Sequence, residues 1–392
     1  MSIRAGYRIV LLLAFTLLLA ACGEDDAAED EPDTQAQAGN DTDAEAEGDG
    51  VPADDAEDAE PFYAGETVEI LVPFGAGGGT DIIGRFLAQG YQRFLPGNPT
   101  VQVVNVPGGG SILGANQFEL QSPRDGSVVM LTASSNLILE GLGHPEVRYD
   151  TSEWVPVLGG PMNSGVVVRT DSGLEEDGSN FTEIQFVAAM REPGGVDALF
   201  LLGYDVLGLD VDGVFGYEGA NATRVALEQG ESNIEWQTTP GYRENAEPLI
   251  EQGTVFPWFS MGQMTADGEL ERPEAHSDIP HIGELYEQLH GEEPSGRIWE
   301  AYKAMNSVAF TSQRVVWLHP DAPQEAIDAF REASEAMVAD EEFMAEAYEV
   351  MGPYDLLIGD DLEAVQPELQ LSDEHGEFIL SFLEQEYGYT FE

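Results

Sequence analysis

Apolar and polar residues alternate through Val68-Glu69-Ile70-Leu71-Val72, a period of two that predicts a strand. Beyond the loop Pro73 to Gly79 the period lengthens. Ile82, Ile83, Phe86, Leu87, Tyr91 and Phe94 recur at spacings of three and four, which predicts a helix over Thr80–Leu95. The succession repeats with a strand at Val101–Val104, the turn Pro107-Gly108-Gly109-Gly110 and a helix ending at Gln121. A third strand, Ser127–Thr132, runs into Ala133-Ser134-Ser135-Asn136. The pattern then restarts with strands at Gly165–Val168 and Ile184–Ala188, the turn Glu192-Pro193-Gly194-Gly195, and a helix over Val196–Leu207. Val214-Phe215-Gly216-Tyr217 reads as another strand, leading through Glu218-Gly219-Ala220-Asn221 to a helix from Ala222 to Glu228. Val308–Leu318 reads as one strand and Pro323–Glu349 as two amphipathic helices. Strand-helix-strand order of this kind predicts an α/β fold with its loops gathered at the carboxyl ends of the strands. Two glycine-turn modules predict two lobes that face each other.

The N-terminus follows a different pattern. Arg4 and Arg8 precede an apolar run from Ile9 to Ala21. As a helix this run would reach about 20 Å, short of the ~30 Å hydrocarbon core of a bilayer, so it reads as the apolar part of a signal peptide, 1–22. Leu19-Ala20-Ala21-Cys22-Gly23 resembles the bacterial lipobox, which implies that Cys22 is lipidated and becomes the first mature residue. It is the only cysteine, so no disulfide forms. The following segment, 23–62, holds seventeen acids and no bases between Gly23 and Glu60 and has almost nothing to bury. An extended, self-repelling tether is expected there.

Composition narrows the function. A chain of 392 residues that is 42% hydrophobic can build a sizeable core. Its 74 acids against 15 bases, a net charge of -59, would repel nucleic-acid phosphates and anionic lipid headgroups. Lys303 is the only lysine. A carboxylate shell almost free of lysine suits a solvent whose salt screens self-repulsion, and we read it as adaptation to high salt.

Glycines after a strand let a backbone approach a ligand, and a helix start offers N–H donors to an anion. Gly75-Ala76-Gly77-Gly78-Gly79-Thr80 therefore suits a carboxylate or phosphate, or is simply a tight strand-helix turn. No lysine precedes Thr80, and the dinucleotide glycine spacing is missing. Taken together, however, several segments carry a resemblance. Ile70-Leu71-Val72-Pro73-Phe74-Gly75-Ala76-Gly77-Gly78-Gly79-Thr80-Asp81-Ile82-Ile83-Gly84-Arg85 resembles the first strand-loop-helix of the solute receptors of tripartite tricarboxylate transporters, the Bug (TctC) family. Val104-Asn105-Val106-Pro107-Gly108-Gly109-Gly110 is similar to its second loop, and Pro123-Arg124-Asp125-Gly126 to the turn before its third strand. Tyr149-Asp150, Val214–Gly219 and Ile279-Pro280-His281-Ile282 continue the likeness more loosely.

The resemblance implies a type II, Venus-flytrap periplasmic-binding-protein fold, with lobe 1 over 63–163 and 308–392 and lobe 2 over 164–307. A small organic acid would lie in the cleft between them. Carried over by position, the first lobe contributes Phe74, Gly77, Gly78, Thr80 and Asp81, with Gly109, Gly110, Ser134 and Ser135 behind them. The second contributes Gly194, Gly195, Tyr217 and Gly219. Two departures place acids, Glu192 and Glu218, near the cleft mouth, where relatives carry a small polar turn and a lysine. Either the whole surface has become acidic, or the ligand is less anionic than citrate or brings an amine or a metal cation.

Arginine best grips a carboxylate bidentately, and Arg191, at a loop tip, is the candidate. Trp236, Trp258 and Trp317 are expected in the core or cleft wall. His276, Asp278 and His281 cluster in sequence, but the spacing and Pro280 make this a loop rather than a metal site. No nucleophile-elbow set is present, and neither cofactor, metal nor enzymatic activity is expected. The reading is a monomeric extracytoplasmic receptor, held to the cell membrane only by its lipid, that delivers its ligand to membrane permease subunits. The alternatives are a sensory receptor feeding a signalling partner and an exported hydrolase.

Overall fold

The computed structural model describes residues 60–265, 267–311, 313–365 and 371–391. The signal segment with Cys22, and the tether as far as residue 59, lie outside them. Two sheets organise the rest. In the first, β1 (Thr67–Val72) lies between β2 (Thr100–Asn105) and β3 (Val128–Ala133), all parallel. Strand Arg314–Leu318 runs antiparallel between β3 and β4 (Val155–Gly160), and the short strand Leu357–Ile358 closes that edge. Helices α1 (Gly79–Phe94), α2 (Ile112–Gln121) and α3 (Ser134–Gly141) each follow a parallel strand. Parallel strands covered on both faces read as near-continuous apolar runs, and all six positions of β3 are buried.

The second sheet has the order β7-β6-β8-β5-β9, built from β5 (Ser164–Arg169), β6 (Gln185–Ala189), β7 (Asp210–Val214), β8 (Ile234–Thr238) and β9 (Val255–Ser260). Helix α4 (Asp197–Val206) follows β6 and α5 (Ala220–Gln229) follows β7. The fold is a two-lobed α/β architecture with one of these sheets in each lobe.

The chain passes from one lobe to the other through Pro161-Met162-Asn163 and returns between Thr311 and Arg314. Met162 donates its N–H to Phe310 O (3.1 Å), which ties the first crossing to the end of the helix before the second, and Asn163 O accepts from the Thr239 N–H of the second lobe (3.0 Å).

Three expectations change. Residues 308–311 belong to the helix Arg297–Thr311, and only Arg314–Leu318 is strand. Polar residues 311–314 divide the apolar run, and Ala301, Tyr302, Met305, Val308 and Ala309 share a buried helical face. The strand expected at Val214–Tyr217 is Asp210–Val214, in register with Gln185–Ala189, and Gly216 (φ +103°) already lies in the loop. Finally, the helix Asp373–Tyr387, expected with lobe 1, buries Ile379, Phe382 and Leu383 in the second-lobe core with Tyr302 and Met305.

Candidate functional site

Four helices from the two lobes begin around one small cavity: α1 at Gly79, α3 at Ser134, α4 just after Val196 and α5 at Ala220. Each helix start carries N–H groups without intrahelical partners and the positive end of a dipole. The cavity measures about 20 Å³, room for one water. The lobes meet around it. The Val196 N–H donates to Ser135 Oγ (3.2 Å), the Gly75 N–H to Glu218 O (3.4 Å) and Asn245 Nδ2 to Gly77 O (3.3 Å).

The first-lobe loop is shaped by Asp81. Its buried carboxylate accepts from the Gly77 N–H (2.8 Å), Arg85 Nε (2.9 Å) and Asn105 Nδ2 (3.0 Å), while Asn105 also donates to Phe74 O (2.9 Å). Burial alone would raise the Asp81 pKa. The hydrogen bonds from Arg85, Gly77 and Asn105 outweigh it and hold the group below its ordinary value. Gly77 has φ +82°, a conformation costly to any residue with a Cβ. With the loop held this way, Gly78 precedes α1 without any side-chain cap.

The second-lobe wall is built on Asp197, which is 1% exposed. Its carboxylate accepts from the N–H groups of Arg191 (2.7 Å) and Glu192 (3.2 Å), from Arg191 Nη2 (2.6 Å) and Nε (3.2 Å), and from Trp236 Nε1 (3.0 Å). The Arg191 guanidinium lies 4.0 Å over the Trp236 ring, which stacks on Phe200 at 4.0 Å and 8°. Trp236 thus forms cleft wall, whereas Trp258 and Trp317 pack in the cores. Arg191 lines the cavity, but its fork already grips Asp197.

Arg314, missed from sequence, lines the same cavity. It is 6% exposed and opens strand Arg314–Leu318, in register with Ala133 at the start of α3. Its Nη1 donates to Gln313 O (2.9 Å), and among the described residues its Nε has no partner and no ion pair holds it. Burial, and then the charge of Arg191, push its pKa down to about 9. The nearby Gln313 Oε1 is likewise buried without a partner. The one sequence signal was an arginine opening an otherwise apolar strand.

Of the expected residues, Phe74, Gly78, Thr80, Ser134, Ser135 and Arg191 come together at the cavity. The others do not line it. Gly77 and Asp81 shape the loop. Gly110 (φ +63°) faces Glu192, where a Cβ would come within 2.4 Å of that side chain, and a Cβ on Gly109 would meet Ile112. Gly194 abuts Phe391, and Gly195 packs on Ser135. Tyr217 is half-buried beside Glu231, and Gly219 is packed on Gly75. The two departing acids also stay out of the cavity: Glu218 is exposed, and Glu192 is bonded by Tyr389. His276 is buried against Thr239 Oγ1 (3.1 Å), and His281 caps the helix Ile282–His290.

No family model matches the sequence. Over 97 residues, 24% of the chain, it is 36% identical to Protein BugT of Bordetella pertussis, and the match spans 29% of that protein's length. Among solved structures, the fold is similar to the periplasmic binding protein BugD at TM-score 0.58 and 18% identity, covering 80% of this chain and 96% of that one. It is similar to MatC from Rhodopseudomonas palustris with bound malate at TM-score 0.58 and 16% identity, covering 80% and 98%. The resemblance to Bug-type solute receptors therefore holds in sequence as well as in fold.

Proposed function

We propose that this chain is an extracytoplasmic solute receptor that binds a small organic acid between its lobes and delivers it to a tripartite tricarboxylate-type permease. The observation that carries this reading is the lining of the cleft. Helix starts, the hydroxyls of Thr80, Ser134, Ser135 and Thr238, and a buried arginine without an acid partner all face one cavity. Such a set stabilises a carboxylate and does little for a neutral apolar molecule. That MatC holds malate supports the same class of ligand.

With about 20 Å³ between the lobes, a ligand enters only when they part. Capture is then a shift between open and closed forms, driven by the ligand's greater affinity for the closed one. The tether and a lipid on Cys22 would keep the receptor at the membrane. Thermal-shift screening of mono-, di- and tricarboxylates in high salt tests the reading, because a ligand that binds only the folded state raises the melting temperature. A panel without any shift would overturn it. Cys22→Ser should release the protein from membranes, and a variant still sedimenting with them would remove the anchor.

A further inference from the structure

We infer that Arg314, together with the start of α3, forms the carboxylate subsite, and that the ligand carries a single negative charge. This deepens the receptor reading and rests on it. Burying a guanidinium is costly unless a partner replaces its water. In a chain with 74 acids, none pairs with Arg314 among the described residues, although Arg191, facing the same cavity, has Asp197. A planar fork with one bond made and its Nε buried and unpartnered matches the two oxygens of a carboxylate. Arg314 pairs in register with Ala133, and both line the cavity together with Ser134 and Ser135 at the start of α3.

Charge balance limits the ligand to one carboxylate. The lining holds two cations and no acid, and Asp197 cancels Arg191. Asp81 and Asp197, in the first turns of α1 and α4, are already paired with Arg85 and Arg191, and the starts of α3 and α5 hold no acid and add only partial charges to that of Arg314. One full positive charge is therefore unclaimed. A second ligand carboxylate would be buried against hydroxyls and the Gln313 amide, with no cation of its own. The rest of the ligand should be neutral and polar.

The test is calorimetric titration of the mature chain with malate and with its monoamide, which has the same length and one charge fewer. The wild type should bind the monoamide at least tenfold more tightly. Arg314→Met should weaken it at least thirtyfold and leave malate still the weaker of the two probes. Without ligand, this variant should melt no lower than the wild type, because an unpaired buried charge has gone. Arg314→Gln serves if the methionine variant fails to fold, with the same loss expected. Malate binding as tightly as the monoamide, or a variant within twofold of the wild type, would overturn this assignment while leaving the receptor reading in place. Failure of both probes and of every carboxylate in the thermal panel would overturn the receptor reading itself.

Discussion

On the first-lobe wall of the cleft, α1 starts at Gly79 without a side-chain cap, and Arg314 keeps a guanidinium nitrogen unpartnered. Across the same cavity, Asp197 accepts five hydrogen bonds and locks Arg191 against Trp236. The first wall's arginine has a donor left to give, whereas the second wall's arginine is already held by its own acid. A satisfied wall adds shape and rigidity, and an unsatisfied one adds affinity for whatever completes it. Lining a cavity is thus a poor measure of recognition. Arg191 and Arg314 both line it, and only the second has an unanswered need.

The largest effect that would sharpen this contrast is structural. Asp197→Ala should destabilise the fold by about 3–5 kcal/mol, since it removes a fully buried acid and leaves the largely buried Arg191 without its partner. Chemical denaturation measures it, and a loss below about 1 kcal/mol would mean that the second wall is not self-contained. Next comes closure. A Cβ at Gly79 would lie 2.2 Å from Thr238 Oγ1 on the opposite wall, and Thr238 is β-branched with little freedom to turn away. Gly79→Val should cost about 1–3 kcal/mol of ligand affinity through overpacking, with each lobe intact. Small-angle scattering should show no compaction on adding ligand, and unchanged compaction would break the contrast.

Glu235, on β8 behind the second wall, gives a pH signature. It accepts from Thr223 Oγ1 (2.7 Å) and Gln237 Nε2 (2.8 Å), and burial raises its pKa from 4.5 to about 7. The folded state keeps a proton that the unfolded chain releases. This contribution is therefore complete below pH 4.5 and is lost as pH rises to about 7, by up to about 1.4 kcal/mol per unit. His276 acts with the opposite sign. Burial, with Arg243, pushes its pKa down to about 4, so its contribution is present above pH 6.5 and lost as pH falls. The difference in unfolding free energy between the wild type and Glu235→Gln isolates the carboxyl. It should decline from pH 4.5 to 7 and be level above, and a level difference throughout would refute the assignment. The smallest effect is that of Thr80→Val, which keeps shape but removes a first-wall hydroxyl. About 1 kcal/mol of binding should be lost by titration, with the ligand-free melting temperature almost unmoved.

The glycine loop was legible because its signals are local. A β-branched strand, a glycine run and a helical period meet within Val68–Phe94, and Asp81 organises the loop from only four residues beyond Gly77. Segments whose state depends on distant partners were not legible in the same way. Val308–Thr311 looks extended until the helical face reaching back to Ala301 is packed. The strand Asp210–Val214 is set by pairing with Gln185–Ala189, which no local pattern records. Arg191 drew attention because it sits beside a turn, and Arg314 escaped it because burial and lack of an acid are properties of the fold. The helix Asp373–Tyr387 carries no mark of which core it joins.

The acid-free lining inside an acidic molecule has a kinetic consequence. Residues 61–392 hold 57 acids and 13 bases, so the proposed anionic ligand meets repulsion before it reaches the cleft. Added salt shortens the reach of that field, from about 10 Å at 0.1 M to about 3 Å at 1 M. Stopped-flow association rates should therefore climb with ionic strength, the reverse of ordinary steered capture, until only the last few ångströms of cavity charge are felt. For such a receptor, brine is what opens the approach.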